Sequence, residues 1–181
     1  MGIVRHFIDR AAHFAALACV ALLTAPSAAF GALPIDRIQL PPGFRIEVLS
    51  DALPGARGMV LTPSGTLFVG SSSEGKVYAL PAALRAKPAI RIVASGLTMP
   101  VGVAFRDGSL YVSSTSRIVR LDDIEARLDN PPKPVVVTDR FPKETTHGWK
   151  FIAFGPDGYL YVPVARRAIS ARPTRTATPT S

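Results

Sequence analysis

The chain of 181 residues contains one cysteine, Cys19. A lone thiol excludes an internal disulfide, and because Cys19 lies in a segment read below as an export leader, the body has no thiolate for catalysis or metal binding. Long apolar runs are also missing: Ala11 to Leu23 is the best candidate and spans about 13 residues, where a membrane-crossing helix needs about 20. Charge is sparse, at 19% Asp, Glu, Lys and Arg. Of the net +8, the first 32 residues hold +1 and the stretch from Ala165 holds +4, so the body carries only +3 from 15 basic and 12 acidic groups. A nucleic-acid surface masses Lys and Arg on one face, often among aromatics, and the body does neither, so no nucleic-acid partner is expected. Neither a Gly-rich phosphate loop, a metal-spaced His or Cys cluster, nor a serine nucleophile elbow is found.

What is present begins with an address. Arg5, His6 and Arg10 give a positive start, Ala11 to Leu23 an apolar stretch, and Pro26 with Ser27, Ala28 and Ala29 a small-residue cleavage region. Residues 1–29 are read as a signal peptide cut after Ala29, with no stable membrane span left after cleavage and a periplasmic or secreted destination. Residues 30–56 then lead into the body.

The body states one phrase three times: RGMVLTPSGTLFVGS from Arg57, VGVAFRDGSLYVSS from Val101 and WKFIAFGPDGYLYVPV from Trp149. Each is an apolar run, a turn ending in Gly, and an alternating run, which predicts a β-hairpin. The glycines Gly65, Gly108 and Gly158 lie 43 and 50 positions apart, the period of propeller blades. Further alternating stretches, Lys76–Leu80, Ile90–Ala94, Arg117–Leu121 and Pro134–Thr138, supply outer strands, and four strands make a blade. The fold class is therefore all-β, an incomplete β-propeller over residues 57–164: two whole blades, Arg57 to about Gly96 and Val101 to about Asp139, and the inner half of a third. Phe44–Leu49 also alternates and predicts a lone strand of the kind that closes a propeller ring. Asp122–Leu128 predicts a brief helix between two strands, with acids in its first turn.

Candidate functional residues are few. His147 stands just before the innermost strand of the third blade, a junction that faces the central channel. Imidazole titrates near neutrality, so a histidine there can accept a proton from a substrate hydroxyl, although a loop histidine can equally be structural. Gly148 leaves room for a ligand and Trp149 walls a pocket or packs between blades. Arg57 holds the matching junction of the first blade, as an anion-binding group or a solvated arginine. Asp107 and Asp157 belong to Asp-Gly turns and are read as structural, not as metal ligands. No residue is assigned to a metal.

The body resembles the glucose/sorbosone dehydrogenase family, six-bladed bacterial quinoproteins. The resemblance runs from about Leu40 to Val164 and rests on RGMVLTPSGTLFVGS, GVAFRDGSLYV, IEARLDNPPKPVVVTDRFPK (Ile124 to Lys143) and above all HGWKFIAFGPDGYLYVPV (His147 to Val164). It implies an exported sugar or aldose dehydrogenase using pyrroloquinoline quinone and calcium, a small sugar substrate, an electron acceptor, and His147 as general base. Val101 and Thr146 depart from the family, which has a polar residue and a second histidine there. The remaining cofactor ligands are implied to lie beyond Val164, so this chain alone is expected to be inactive and to bind neither quinone nor calcium. A gluconolactonase-like hydrolase would need carboxylates at the inner-strand starts, where Arg57, Val101 and Trp149 stand; a non-enzymatic binding propeller would use the same hairpins without a base.

From Ala165 onward there is no Asp, Glu, Gly or aromatic residue, and a disordered tail is expected over residues 165–181. Family members are implied to continue after YVPV with Gly-Ala-Pro-Cys-Asn-Ile-Cys. A coding run GGC GCG CCG TGC AAT ATC TGC GCG, read one base later, gives Ala-Arg-Arg-Ala-Ile-Ser-Ala, the stretch found at 165–171. A frameshift at or just before Ala165 is therefore expected. The coding DNA after Val164, read in the other frame, tests it.

Overall fold

The computed structural model describes residues 34–85 and 88–164. The expected leader, Cys19 and the expected tail from Ala165 lie outside the described residues. Two units divide the chain, Met1–Glu47 and Val48–Ser181. In the described part of the first, a single 3₁₀ turn spans Ile35–Arg37 and an exposed ion pair joins Arg45 to Glu47 at 3.3 Å.

The described part of the second unit is strand and turn, and it is an incomplete β-propeller. Strands β1 (Ala56–Leu61), β2 (Leu67–Ser71), β3 (Val77–Leu80) and β4 (Arg91–Ala94) form one antiparallel sheet in that order. Strands β5 (Val103–Arg106), β6 (Ser109–Ser113), β7 (Ile118–Leu121) and β8 (Val135–Thr138) form a second, and β9 (Ala153–Phe154) pairs with β10 (Leu160–Tyr161) as the start of a third. The repeat extends to its irregularities: the ladder slips by one residue between Val77 and Tyr78 against β4, and at the matching place between Ile118 and Val119 against β8.

Alternation along each strand sends side chains to two faces, and consecutive blades pack face to face. Phe68, Val77, Ala79 and Val93 of the first blade meet Val103, Leu110, Val112, Val119 and Leu121 of the second in one buried core. The intervening positions Val69, Tyr78 and Leu80 turn to the opposite face, where Leu49 and Leu53 cover them. On the far side of the second blade, Ala104 and Ile118 pack with Ile152, Phe154 and Leu160 of the third hairpin. Aromatic pairs reinforce both seams: Phe68 stacks on Phe105 at 6.2 Å, and Tyr111 meets Phe154 edge-on at 5.0 Å.

The three hairpin loops are not identical. Thr62–Thr66 and Gly155–Tyr159 are three-residue loops, each with a turn bond (Gly65 N–H to Thr62 O, Gly158 N–H to Gly155 O) and a left-handed glycine at the end. Proline follows the first residue in both, where a type I turn wants its fixed φ. The second loop has two residues, Asp107 and Gly108, both left-handed at φ 49° and 76°, the geometry that selects Asp-Gly.

Two expectations are corrected. Phe44–Leu49 forms no strand: alternation alone leaves the backbone without ladder partners, and Phe44 stays 72% exposed. The helix expected over Asp122–Leu128 is a 3₁₀ turn at Ile124–Arg127. Asp123, left-handed at φ 50°, enters it, and fully buried Ile124 anchors it through its N–H to Gly108 O at 3.1 Å. Among the described residues no helix is long and apolar enough to cross a membrane.

Candidate functional site

The site is built where inner strands begin. Within β1 the ladder jumps from Ala56↔Ser71 to Met59↔Val69, so Arg57 and Gly58 sit at a bulge. Bulges re-aim side chains and recur beside functional sites. Arg57 is exposed, and among the described residues it makes no ion pair.

His147 lies in a tight turn that precedes β9. Gly148 N–H closes the turn onto Thr145 O at 3.0 Å, and His147, the residue before it, is left-handed at φ 57°. Such a conformation costs a non-glycine residue about 1–2 kcal/mol and persists only where the surroundings enforce it. They do so here. A Cβ on Gly148 would lie 2.2 Å from Glu144 O and 2.9 Å from Thr115 Cγ2, so the turn is pressed against the second blade and only glycine fits. The imidazole is exposed, 5.5 Å from the Trp149 ring, which is itself 45% exposed. Trp149 therefore stands beside His147 and does not pack into the core.

Phe151 connects the segments of His147 and Arg57. Its ring lies 3.3 Å from where a Cβ on Gly58 would stand. The structure thus brings the third hairpin against the bulge in β1, while no hydrogen bond joins Arg57 to His147 among the described residues. Asp157 serves its own loop, accepting from Tyr159 N–H at 3.1 Å and the Tyr161 hydroxyl at 2.6 Å. Asp107 pairs with Arg106 at 3.2 Å, and the Arg106 guanidinium also donates to Gly158 O and covers the Phe154 ring at 5.2 Å. Both aspartates are turn residues, as expected.

Lys150 is the residue the sequence reading passed over. The hairpin pairs Leu61↔Leu67, Phe105↔Leu110 and Phe154↔Leu160 are equivalent. Counting back from them sets Lys150, not Trp149, level with Arg57 and Val101. The residue is only 4% exposed. Its Nζ donates to Thr115 O at 2.5 Å and to Gly148 O at 2.7 Å, and lies 5.4 Å from the Phe141 ring centroid. Burial away from water pushes its ammonium below the usual lysine range. Its backbone is held as well: the Ser113 hydroxyl donates to Lys150 O at 2.6 Å.

Among the described residues no group of three His, Cys, Asp or Glu side chains could hold a metal ion. A depression lined by Pro81, Arg91, Arg127 and Asp129 lies at the outer strands, where Arg91 and Asp129 pair with each other.

Comparison with known proteins gives a fold and no family. No family model matches the chain. An uncharacterized protein of Borreliella burgdorferi is 25% identical over 97 residues, 53% of this chain and 24% of that one. The PQQ-bound form of an aldose sugar dehydrogenase from Streptomyces coelicolor is similar in structure, with a TM-score of 0.51 and 24% identity, covering 65% of this chain and 40% of the other. A selenomethionine-substituted virginiamycin B lyase from Staphylococcus aureus gives a TM-score of 0.39 and 13% identity over 60% of this chain and 34% of its own. The chain thus spans less than half the length of each of these three proteins.

Proposed function

We propose that this chain is the N-terminal part of an exported, quinone-dependent sugar dehydrogenase of the glucose/sorbosone kind, with His147 as its general base. The observation that carries the reading is an exposed histidine on an enforced left-handed backbone, at the start of an inner propeller strand, inside the phrase HGWKFIAFGPDGYLYVPV. Strain held at an exposed polar residue marks a functional position more readily than a structural one. Likeness to the fold of a PQQ-bound aldose sugar dehydrogenase supports the general kind.

The described residues fit the quinone in part. Pyrroloquinoline quinone is flat and anionic and, when bound, supplies a hydride acceptor. Arg57, exposed and without an ion-pair partner among the described residues, offers a cation for a carboxylate, and exposed Trp149 offers an aromatic face. His147 accepts the proton of a sugar hydroxyl at an imidazole nitrogen as the carbon bearing that hydroxyl gives up its hydride. Among the described residues no group of three His, Cys, Asp or Glu side chains is gathered that could hold calcium, and no step is assigned to it. The same absence of carboxylates at Arg57, Val101 and Lys150 leaves a metal-dependent lactone hydrolase without support.

Replacing His147 with Gln in the completed ring tests the assignment. Sugar oxidation is expected to be lost while the quinone still binds; unchanged turnover would remove His147 from the chemistry. The chain alone, given pyrroloquinoline quinone, calcium, an aldose and an artificial acceptor, is expected not to turn over, because two and a half blades do not close a channel and propellers need at least four.

A further inference from the structure

A lysine buried to 96% among carbonyls is an expensive choice. Taking an ammonium out of water is unfavourable, and a methionine of similar shape would fill the space without that penalty. Among the described residues no carboxylate lies within ion-pair distance to offset it. What the ammonium does that a methyl group cannot is bind two carbonyl oxygens at once, Thr115 O in the β6–β7 connection of the second blade and Gly148 O in the turn that bears His147. The stem of Lys150 follows that turn by two residues, so the side chain folds back over its own entry loop. Its backbone oxygen is fixed to the same blade through the Ser113 hydroxyl, so both ends of the residue are anchored while the loop is not otherwise tied by side-chain hydrogen bonds among the described residues.

We propose that Lys150 is a positioning residue for His147: its buried ammonium, bonded to Gly148 O and Thr115 O together, clamps the Thr145–Gly148 turn onto the second blade and thereby sets where the imidazole stands. The proposal rests on the reading of His147 as the base, but it concerns the geometry of the turn and is tested without substrate or cofactor. The clamp explains how a left-handed histidine is held, since a turn released from the blade would keep only its single hydrogen bond, Gly148 N–H to Thr145 O, which opens to water once the loop relaxes.

The test is amide exchange and imidazole NMR on the whole chain, comparing the native protein with Lys150→Met. In the variant the Gly148 amide is expected to exchange on the order of tenfold faster, while the Val112 amide inside β6 stays within about twofold of native. The His147 ring resonances are expected to move toward those of an unstructured histidine. Lys150→Cys, in a Cys19→Ser background, is the second variant; alkylated while unfolded with 2-bromoethylamine and refolded, it regains an ammonium that differs from lysine by sulfur for a methylene. Alkylation is expected to restore both the slow Gly148 exchange and the native His147 resonances. Native Gly148 exchange and native His147 resonances in Lys150→Met overturn the proposal. So does acceleration of Gly148 and Val112 in step, or failure of both uncharged variants to fold, because each assigns the ammonium to general stability. These readouts stand whether or not the completed ring oxidises a sugar, so loss of the dehydrogenase reading and loss of the clamp are told apart.

Discussion

The Ser113 hydroxyl donates to Lys150 O at 2.6 Å and accepts from Gly102 N–H at 2.9 Å, so one side chain of β6 joins the entry of its own blade to the entry of the next. Ser113 is fully buried, and neither backbone group has water to fall back on. Ser113→Ala is expected to cost about 2 kcal/mol, because it leaves a buried N–H and a buried C=O short of a partner. Urea unfolding measures it, and a loss below about 0.5 kcal/mol would mean that the two groups find each other without the hydroxyl.

Gly102 is part of the same seam. A Cβ there would stand 2.1 Å from Lys150 O and 3.0 Å from Ile152 N, and both are backbone atoms that cannot swing aside. Gly102→Ala is expected to destabilise by about 3 kcal/mol or to separate the third hairpin from the second blade. Thermal unfolding together with fluorescence of Trp149, the only tryptophan, distinguishes these outcomes. A stability equal to the native protein's would show that the seam yields.

His147→Gly should affect stability in the opposite sense from most substitutions. Removing the side chain relieves the left-handed penalty of about 1–2 kcal/mol, and the added chain entropy of glycine offsets about 0.5–1 kcal/mol of that gain. The variant is expected to be as stable as the native chain or more so by up to about 1 kcal/mol. A clear loss of stability in the same urea measurement would mean that the imidazole itself supports the turn.

Asp157 makes the stability depend on acid. The Tyr161 hydroxyl first, and then the Tyr159 N–H, hold its carboxyl below the ordinary value of 3.8. Its ionised form therefore contributes stability that is present above about pH 4 and is lost as the pH falls through the lowered folded value. Asp157→Asn is expected to lower the urea midpoint at pH 7, and the difference from the native protein is expected to shrink as the pH falls below about 4. A midpoint difference that persists undiminished at low pH would assign the effect to the shape of the turn.

Much of this architecture was legible in the residues, for physical reasons that can be named. Side-chain alternation has period two, and the Gly-ended loops announce where it reverses, so Ser109–Ser113 and its neighbours could be placed closely. Phe44–Leu49 alternates equally well and forms no strand, since pairing depends on a partner that local pattern does not supply. His147 and Arg57 could be singled out by type and junction. Lys150 could not: in Trp-Lys-Phe-Ile-Ala-Phe it occupies what looks like a solvated alternate position. The two-residue loop at Asp107 and Gly108 shortens the second hairpin, so Val101 stands seven positions before its glycine where Arg57 and Lys150 stand eight before theirs. Counting back eight from Gly65 and from Gly158, whose loops both have three residues, sets Lys150 level with Arg57. The carbonyl cage around the ammonium, however, comes from the second blade and is set by tertiary contact alone.

The seams have a direction. At each one, the chain entering the later blade delivers carbonyls into the earlier blade, Pro100 O to Ser71 N–H, Val101 O to Gly58 N–H and Lys150 O to the Ser113 hydroxyl, and at the second seam it also donates, from Phe141 N–H to Ser116 O and from Lys150 Nζ to Thr115 O. Every receiving surface is thus finished before the segment that docks on it has been synthesised. Growth from the ribosome can add blades one at a time in sequence order, each templated by its predecessor, with no need to wait for a distant part of the chain.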